Sequence, residues 1–158
     1  MTSQKKTDAF RVIGISIRTK NSAELSGHGK IGPLWNEYIS KSISEKIPDK
    51  INYETIAVYY DYETDATGYF SMLIGAKVKP NTTPPTGMVA IDIPAQTSEV
   101  ITSDKGEMPA VIISAWQQIW LKTEQNELNR KYSFDYELYD ERSINPSAGQ
   151  IDIYITVK

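Results

Sequence analysis

The sequence predicts an α+β fold in which two strand-helix-strand-strand units share one curved antiparallel sheet, with one helix from each unit. Three observations carry that expectation. Side chains alternate with period two in six main segments and recur at helical spacing in two. These elements fall in the order strand-helix-strand-strand twice, separated by the proline-rich stretch 80–85. The strands of the two halves also match by residue. Tyr69-Phe70-Ser71-Met72-Leu73-Ile74 can be laid on Gln150-Ile151-Asp152-Ile153-Tyr154-Ile155, and Ile56-Ala57-Val58-Tyr59-Tyr60 on Phe134-Asp135-Tyr136-Glu137-Leu138. In that register Tyr59 is the pseudo-symmetric partner of Glu137.

Residues 9–19 read as the first strand, with Phe10 and Val12 on one side and Ile13, Ile15 and Ile17 on the other. Residues 21–30 hold Gly27 and Gly29 and read as a loop. Ile31, Leu34, Trp35, Tyr38, Ile39 and Ile43 recur at helical spacing, with Pro33 tolerated in the first turn and Pro48 closing the helix. Residues 54–62 are rich in strand formers, 64–68 read as a turn, and 69–79 place Phe70, Met72, Ile74, Ala76 and Val78 on one strand face. Residues 88–94 suit a short edge strand and 98–103 a further strand. The second helix runs over 109–121, with Ile112, Ile113, Trp116, Ile119 and Trp120 as its apolar residues. Residues 123–131 are polar and read as irregular. The strands 134–142 and 151–158 close the chain.

The organisation that follows is a disordered N-terminus over 1–8 and a single domain over 9–158, made of pseudo-symmetric repeats 9–79 and 86–158. A cleft along the axis relating the repeats is a natural place for a ligand.

Composition narrows the function. The net charge is −3, and Lys and Arg are scattered, so a nucleic-acid surface is not indicated. With no cysteine there is neither disulfide nor thiolate metal site, in keeping with a cytoplasmic setting. The first seven residues lack the apolar stretch of a signal peptide, and no apolar run approaches the roughly 18 residues of a membrane span. His28 is the single histidine, which excludes a histidine metal cluster and a nucleophile–histidine triad; between Gly27 and Gly29 it reads as a surface residue. Asp61, Glu63, Asp65, Asp140 and Glu141 match no calcium-loop spacing. No metal and no cofactor are expected.

The residue that stands out is Glu137. On its strand Asp135, Glu137 and Tyr139 share one face, and Phe134, Tyr136 and Leu138 the other. On the following strand Ile151, Ile153, Ile155 and Val157 form an apolar face opposed by Asp152, Tyr154 and Thr156. Glu137 is placed on the face without the aliphatic residues, with Tyr139 and Tyr154 as neighbours. Acidic residues are depleted in strand centres. A carboxylate framed by tyrosines, in a chain with ten of them, suits an organic cation, which is drawn to negative charge and to π-faces together. The alternative is a solvated strand face or an ion pair with Arg142 or Lys158. Trp35, Trp116 and Trp120 are either core or cleft wall, the last two being four apart on one helical face. Tyr59, Tyr69, Tyr139 and Tyr154 divide in the same way between strand packing and cleft.

Four segments resemble the GyrI-like effector-binding superfamily, the ligand-sensing domain of AraC-type and multidrug-responsive regulators. Within it the chain is similar to the stand-alone, integron-associated effector-binding proteins. The segments are Ile31-Gly32-Pro33-Leu34-Trp35; Gly68-Tyr69-Phe70 with Leu73-Ile74-Gly75; Ala115-Trp116-Gln117-Gln118-Ile119-Trp120; and Tyr136-Glu137-Leu138-Tyr139-Asp140-Glu141-Arg142 with Ile153-Tyr154-Ile155. The resemblance implies a GyrI-like, SOUL-type fold with a hydrophobic cleft between helices, and a buried acid for lipophilic cations that falls on Glu137. The ligand-binding set is then Glu137, Trp35, Tyr59, Tyr69, Trp116, Trp120, Tyr139 and Tyr154. It implies a bacterial sensor linked to transcription regulation, with a cationic, lipophilic small molecule as ligand and a separate transcription regulator as partner. The chain departs from the regulator layout, having no room for a helix-turn-helix before Phe10, so neither direct nucleic-acid contact nor a membrane is expected. Two other readings stand beside this non-enzymatic one: a GyrI-like hydrolase using Glu137 to activate water, and a protein inhibitor acting through surface contacts.

Overall fold

The computed structural model describes residues 2–158. Among the described residues there are eight strands: β1 (Thr2–Thr7), β2 (Phe10–Thr19), β3 (Thr55–Tyr60), β4 (Phe70–Val78), β5 (Val89–Ile93), β6 (Gln96–Thr102), β7 (Asp135–Tyr139) and β8 (Asp152–Thr156). They join one sheet in the order β1-β6-β8-β7-β3-β4-β2-β5, and every pairing is antiparallel. That order is a palindrome about the β7–β3 junction. The six inner strands read first-third-second, then second-third-first, as two copies of one unit related by a twofold axis would. Tyr59 faces Met72 across β3 and β4, while Glu137 faces Ile153 across β7 and β8. The two strand matches read from the sequence therefore agree in register.

The N-terminus departs from expectation. Thr2–Thr7, read as disordered, is β1, paired with β6 from Thr2↔Ile101 to Thr7↔Gln96. Met1 lies outside the described residues. A polar strand suits a sheet edge, where Lys side chains stay in water. The edge position hid β1, because no apolar alternation was needed to hold it. It has a counterpart in β5, which pairs with β2 at the opposite edge. Each half thus lends its leading strand to the other.

Among the described residues there are four α-helices rather than two: α1 (Asn21–Leu25), α2 (Ile31–Ser40), α3 (Ile43–Lys46) and α4 (Ala110–Glu124). The segment read as a loop contains α1. The first long helix breaks at Ser42, whose φ of 50° is left-handed, so α2 and α3 are separate. Among the described residues no helix is long and apolar enough to cross a membrane.

Two apolar clusters lie on the helical face of the sheet. Ile13, Phe70, Met72 and Ile74 meet Leu34 and Tyr38 of α2; Ile151, Ile153 and Ile155 meet Ala115 and Ile119 of α4. Tyr139 packs against both. A third cluster on the opposite face includes no helical residue, and its Val12, Ile56, Val58, Leu73 and Ile93 are fully buried. Such burial requires the sheet to curl over that face. Phe134 stacked on Tyr60 at 6.1 Å, and Lys77 lying 4.2 Å over the ring of Phe10, help close it.

Candidate functional site

A cavity of about 640 Å³ opens on the helical face, within the range of small-molecule sites. Its walls come from both halves: Trp35 of α2, Trp116 and Trp120 of α4, Tyr59 of β3, Phe70 of β4, and Glu137 and Tyr139 of β7. β3 and β7 adjoin at the centre of the sheet, which brings Tyr59 and Glu137 together from 78 residues apart. The aromatic residues of the wall contact one another in two groups, which Glu137 bridges by accepting hydrogen bonds from both. Trp35 meets Tyr139 edge-on at 4.9 Å, Tyr59 meets Trp116 at 5.1 Å, and Trp116 leans on Trp120 at 6.5 Å.

Glu137 forms the floor and is 2% exposed. Its Oε2 accepts from the Tyr59 hydroxyl at 2.7 Å and from Trp116 Nε1 at 2.7 Å; its Oε1 accepts from the Tyr139 hydroxyl at 2.6 Å. All three donors are neutral. Among the described residues no Lys or Arg lies within ion-pairing distance of this carboxylate. Arg142, one cation considered for it, is engaged by Asp140 at 2.8 Å and Asp152 at 2.9 Å. Burial pushes the Glu137 carboxyl up from the ordinary range, and the three hydrogen bonds offset only part of that shift. Burial and the adjacent carboxylate push the hydroxyls of Tyr59 and Tyr139 well up, so both remain protonated donors. The result is a preorganised, desolvated acceptor whose charge is spread over neutral dipoles and not cancelled.

Two of the anticipated residues lie elsewhere. Tyr154 stacks on Tyr136, with centroids 4.6 Å apart, in the cluster on the other face of the sheet. The cause is register. Glu137 sits opposite Ile153, and directly opposed residues share a face, so Glu137 belongs with Ile151, Ile153 and Ile155 rather than against them. Tyr69 precedes β4 and is 43% exposed, with the Lys20 ammonium 4.9 Å from its ring centroid. Neither lines the cavity.

The structure adds a second buried acid beside the first. Asp135, two residues before Glu137 on the same strand face, is fully buried and pairs with Arg130 at 2.8 Å. It also accepts from the Tyr62 hydroxyl at 2.7 Å and from the backbone and hydroxyl of Thr156 at 2.8 and 2.7 Å. The Arg130 guanidinium lies 4.4 Å from the Tyr132 ring centroid. Arg130 and Tyr62 both reach the cavity wall. The signal for Asp135 was present, since it shares the alternation of Glu137. Arg130 was hidden in a polar segment without periodicity, and Tyr62, included in the strand read over 54–62, lies past the actual end of β3 at Tyr60, beyond Asp61 with its left-handed φ of 54°. Of two neighbouring buried carboxylates, one is neutralised by the protein and the other is not.

The model of the Cass2 family, described as integron-associated effector binding protein, matches residues 5–157. The chain is 29% identical over 155 residues to YobU of Bacillus subtilis (strain 168), covering 96% of this chain and 94% of YobU. It is 32% identical over 133 residues to the transcriptional regulator BrlR of Pseudomonas aeruginosa, covering 80% of this chain and 46% of BrlR. The fold is similar to that of SAV2435, solved bound to tetraphenylphosphonium, with a TM-score of 0.81, 15% identity, and coverage of 100% of this chain and 94% of that one. The chain belongs to the Cass2 family of integron-associated effector binding proteins.

Proposed function

We propose that this chain binds an amphipathic, positively charged small molecule in the aromatic cleft, as a cytoplasmic sensor whose occupancy is read by a separate transcription regulator. The observation that carries this reading is Glu137: a desolvated carboxylate at the floor of an apolar cavity, held by three neutral donors and, among the described residues, with no Lys or Arg within ion-pairing distance. An uncompensated buried charge costs several kcal/mol, and a bound cation relieves that cost. Aromatic walls add about 0.5–2 kcal/mol at each favourable cation–π contact. The tetraphenylphosphonium held by SAV2435 is a cation of this chemistry.

The same geometry favours binding over hydrolysis. With both oxygens accepting hydrogen bonds from Tyr59, Trp116 and Tyr139, Glu137 is poorly placed to take a proton from water as well.

Isothermal titration with tetraphenylphosphonium and the neutral triphenylphosphine oxide, against the native chain and Glu137→Gln, tests the reading. The phosphonium should weaken about tenfold to a hundredfold in the variant, the ~1–3 kcal/mol of a lost charged partner, and the neutral compound much less. Equal weakening of both would make Glu137 a structural residue and move the charge recognition elsewhere.

A further inference from the structure

Among the described residues nine large hydrophobic side chains are exposed, and three of them stand at one place, the mouth of the cleft. Leu25 of α1 is 74% exposed, Ile39 of α2 is 70% exposed, and Ile113 of α4 is 52% exposed. Single exposed apolar residues need no explanation. These three come from separate helices and converge on the opening of a cavity whose floor holds Glu137, which among the described residues is a buried carboxylate with no Lys or Arg within ion-pairing distance. On α2 the approach is a continuous stripe. Ile31, Trp35 and Ile39 are four apart, all border the cavity, and the last is the most exposed. The path from Glu137 outward therefore runs from charge, through aromatic rings, to aliphatic side chains in water. A compact ligand filling the interior would leave that outer collar wet.

Resting on the cationic reading of the cleft, we propose that its ligand is a single-chain cationic amphiphile bound head-in. The cation lies near Glu137 between Tyr59, Trp116 and Tyr139, and the alkyl tail leaves over Leu25, Ile39 and Ile113. The collar is a tail-binding surface, continuous with the cavity, and it sets selectivity for chain length. Methylenes covered by the collar gain transfer free energy that methylenes in water do not.

The test is a homologous series of alkyltrimethylammonium ions from octyl to tetradecyl. Each is titrated below its micelle concentration, with tetraphenylphosphonium as the compact reference. For the native chain, affinity should rise about two- to fourfold per added methylene through the longer members, the range between a half-covered and a fully buried methylene. In the triple variant Leu25→Ser, Ile39→Ser, Ile113→Ser the rise should flatten toward onefold for the longer members. Circular dichroism and a melting curve establish that the variant is folded. A flat series in the native chain, with tetraphenylphosphonium bound, would overturn the tail path and leave the cationic cleft standing; the collar would then serve a protein partner. An unchanged slope in the variant would overturn it equally. Failure of every cation to bind the native chain would overturn this inference together with the reading on which it rests.

Discussion

At the scale of single residues, Asp135 and Glu137 show how environment divides two like groups. They share a strand face and are both buried, yet one has Arg130 and the other has three neutral donors. Because burial raises the carboxyl pKa of Glu137, the folded state binds its proton more tightly than the unfolded chain does. Its contribution to stability is therefore fully present below the ordinary carboxylate pKa and is lost as pH rises through the raised value. In Glu137→Gln that loss is absent. The melting temperature of the apo variant relative to the native chain should thus climb as pH is raised from about 4 toward neutrality. Cation affinity of the native chain should rise over the same window, as the carboxylate ionises. Melting curves across that range, with and without tetraphenylphosphonium, measure both. A variant destabilised at neutral pH would show that the three hydrogen bonds outweigh the uncancelled charge.

At the scale of elements, the close approach of β2 and β4 has a specific cause. Gly14 and Gly75 face one another across that pair. A Cβ built on Gly14 meets the carbonyl of Ile74, and one built on Gly75 meets the carbonyl of Ile13, both backbone atoms that cannot turn aside. Two glycines here let the backbones come together where the sheet curls over its helix-free face. Gly75→Ala should destabilise the fold by roughly 1–3 kcal/mol, the usual penalty for inserting volume into a filled interior. At about 2–4 °C per kcal/mol for a chain of this size, a melting curve resolves the change. An unaltered melting temperature would mean that the strands separate at little cost and that the glycines are not needed for the curvature. The long strands were legible because both faces are buried and period two persists along them. α1 was not legible, because five residues with no buried member leave no periodic trace.

At the scale of the whole molecule, the halves are interleaved. β1 precedes β2 in sequence but pairs with β6, and β5 precedes β6 but pairs with β2. The cavity draws on helices of both halves, and its floor straddles the β3–β7 junction at the centre of the palindrome. Neither half has its own complete sheet edge or its own site. Unfolding should accordingly be a single transition, with tryptophan fluorescence and far-ultraviolet circular dichroism superimposed across a urea titration. Two separated transitions would show that the repeats fold as independent units.

The α+β class, the repeated order of elements, the matched strands and the prominence of Glu137 are legible in the chain before it folds. Each of these is written in local periodicity, or in a residue type that is unusual for its place. Tertiary structure decided what depends on pairing. Tyr154 alternates with Ile153 as plainly as Tyr139 flanks Glu137, but which face of β8 joins which face of β7 is set by the register Glu137↔Ile153, and a shift of one residue exchanges the faces. That register put Tyr139 beside the carboxylate and Tyr154 on the far side of the sheet. The chain fold also brought Arg130 to Asp135 and gave Glu137 three neutral donors, a difference in charge balance that no spacing along the sequence records.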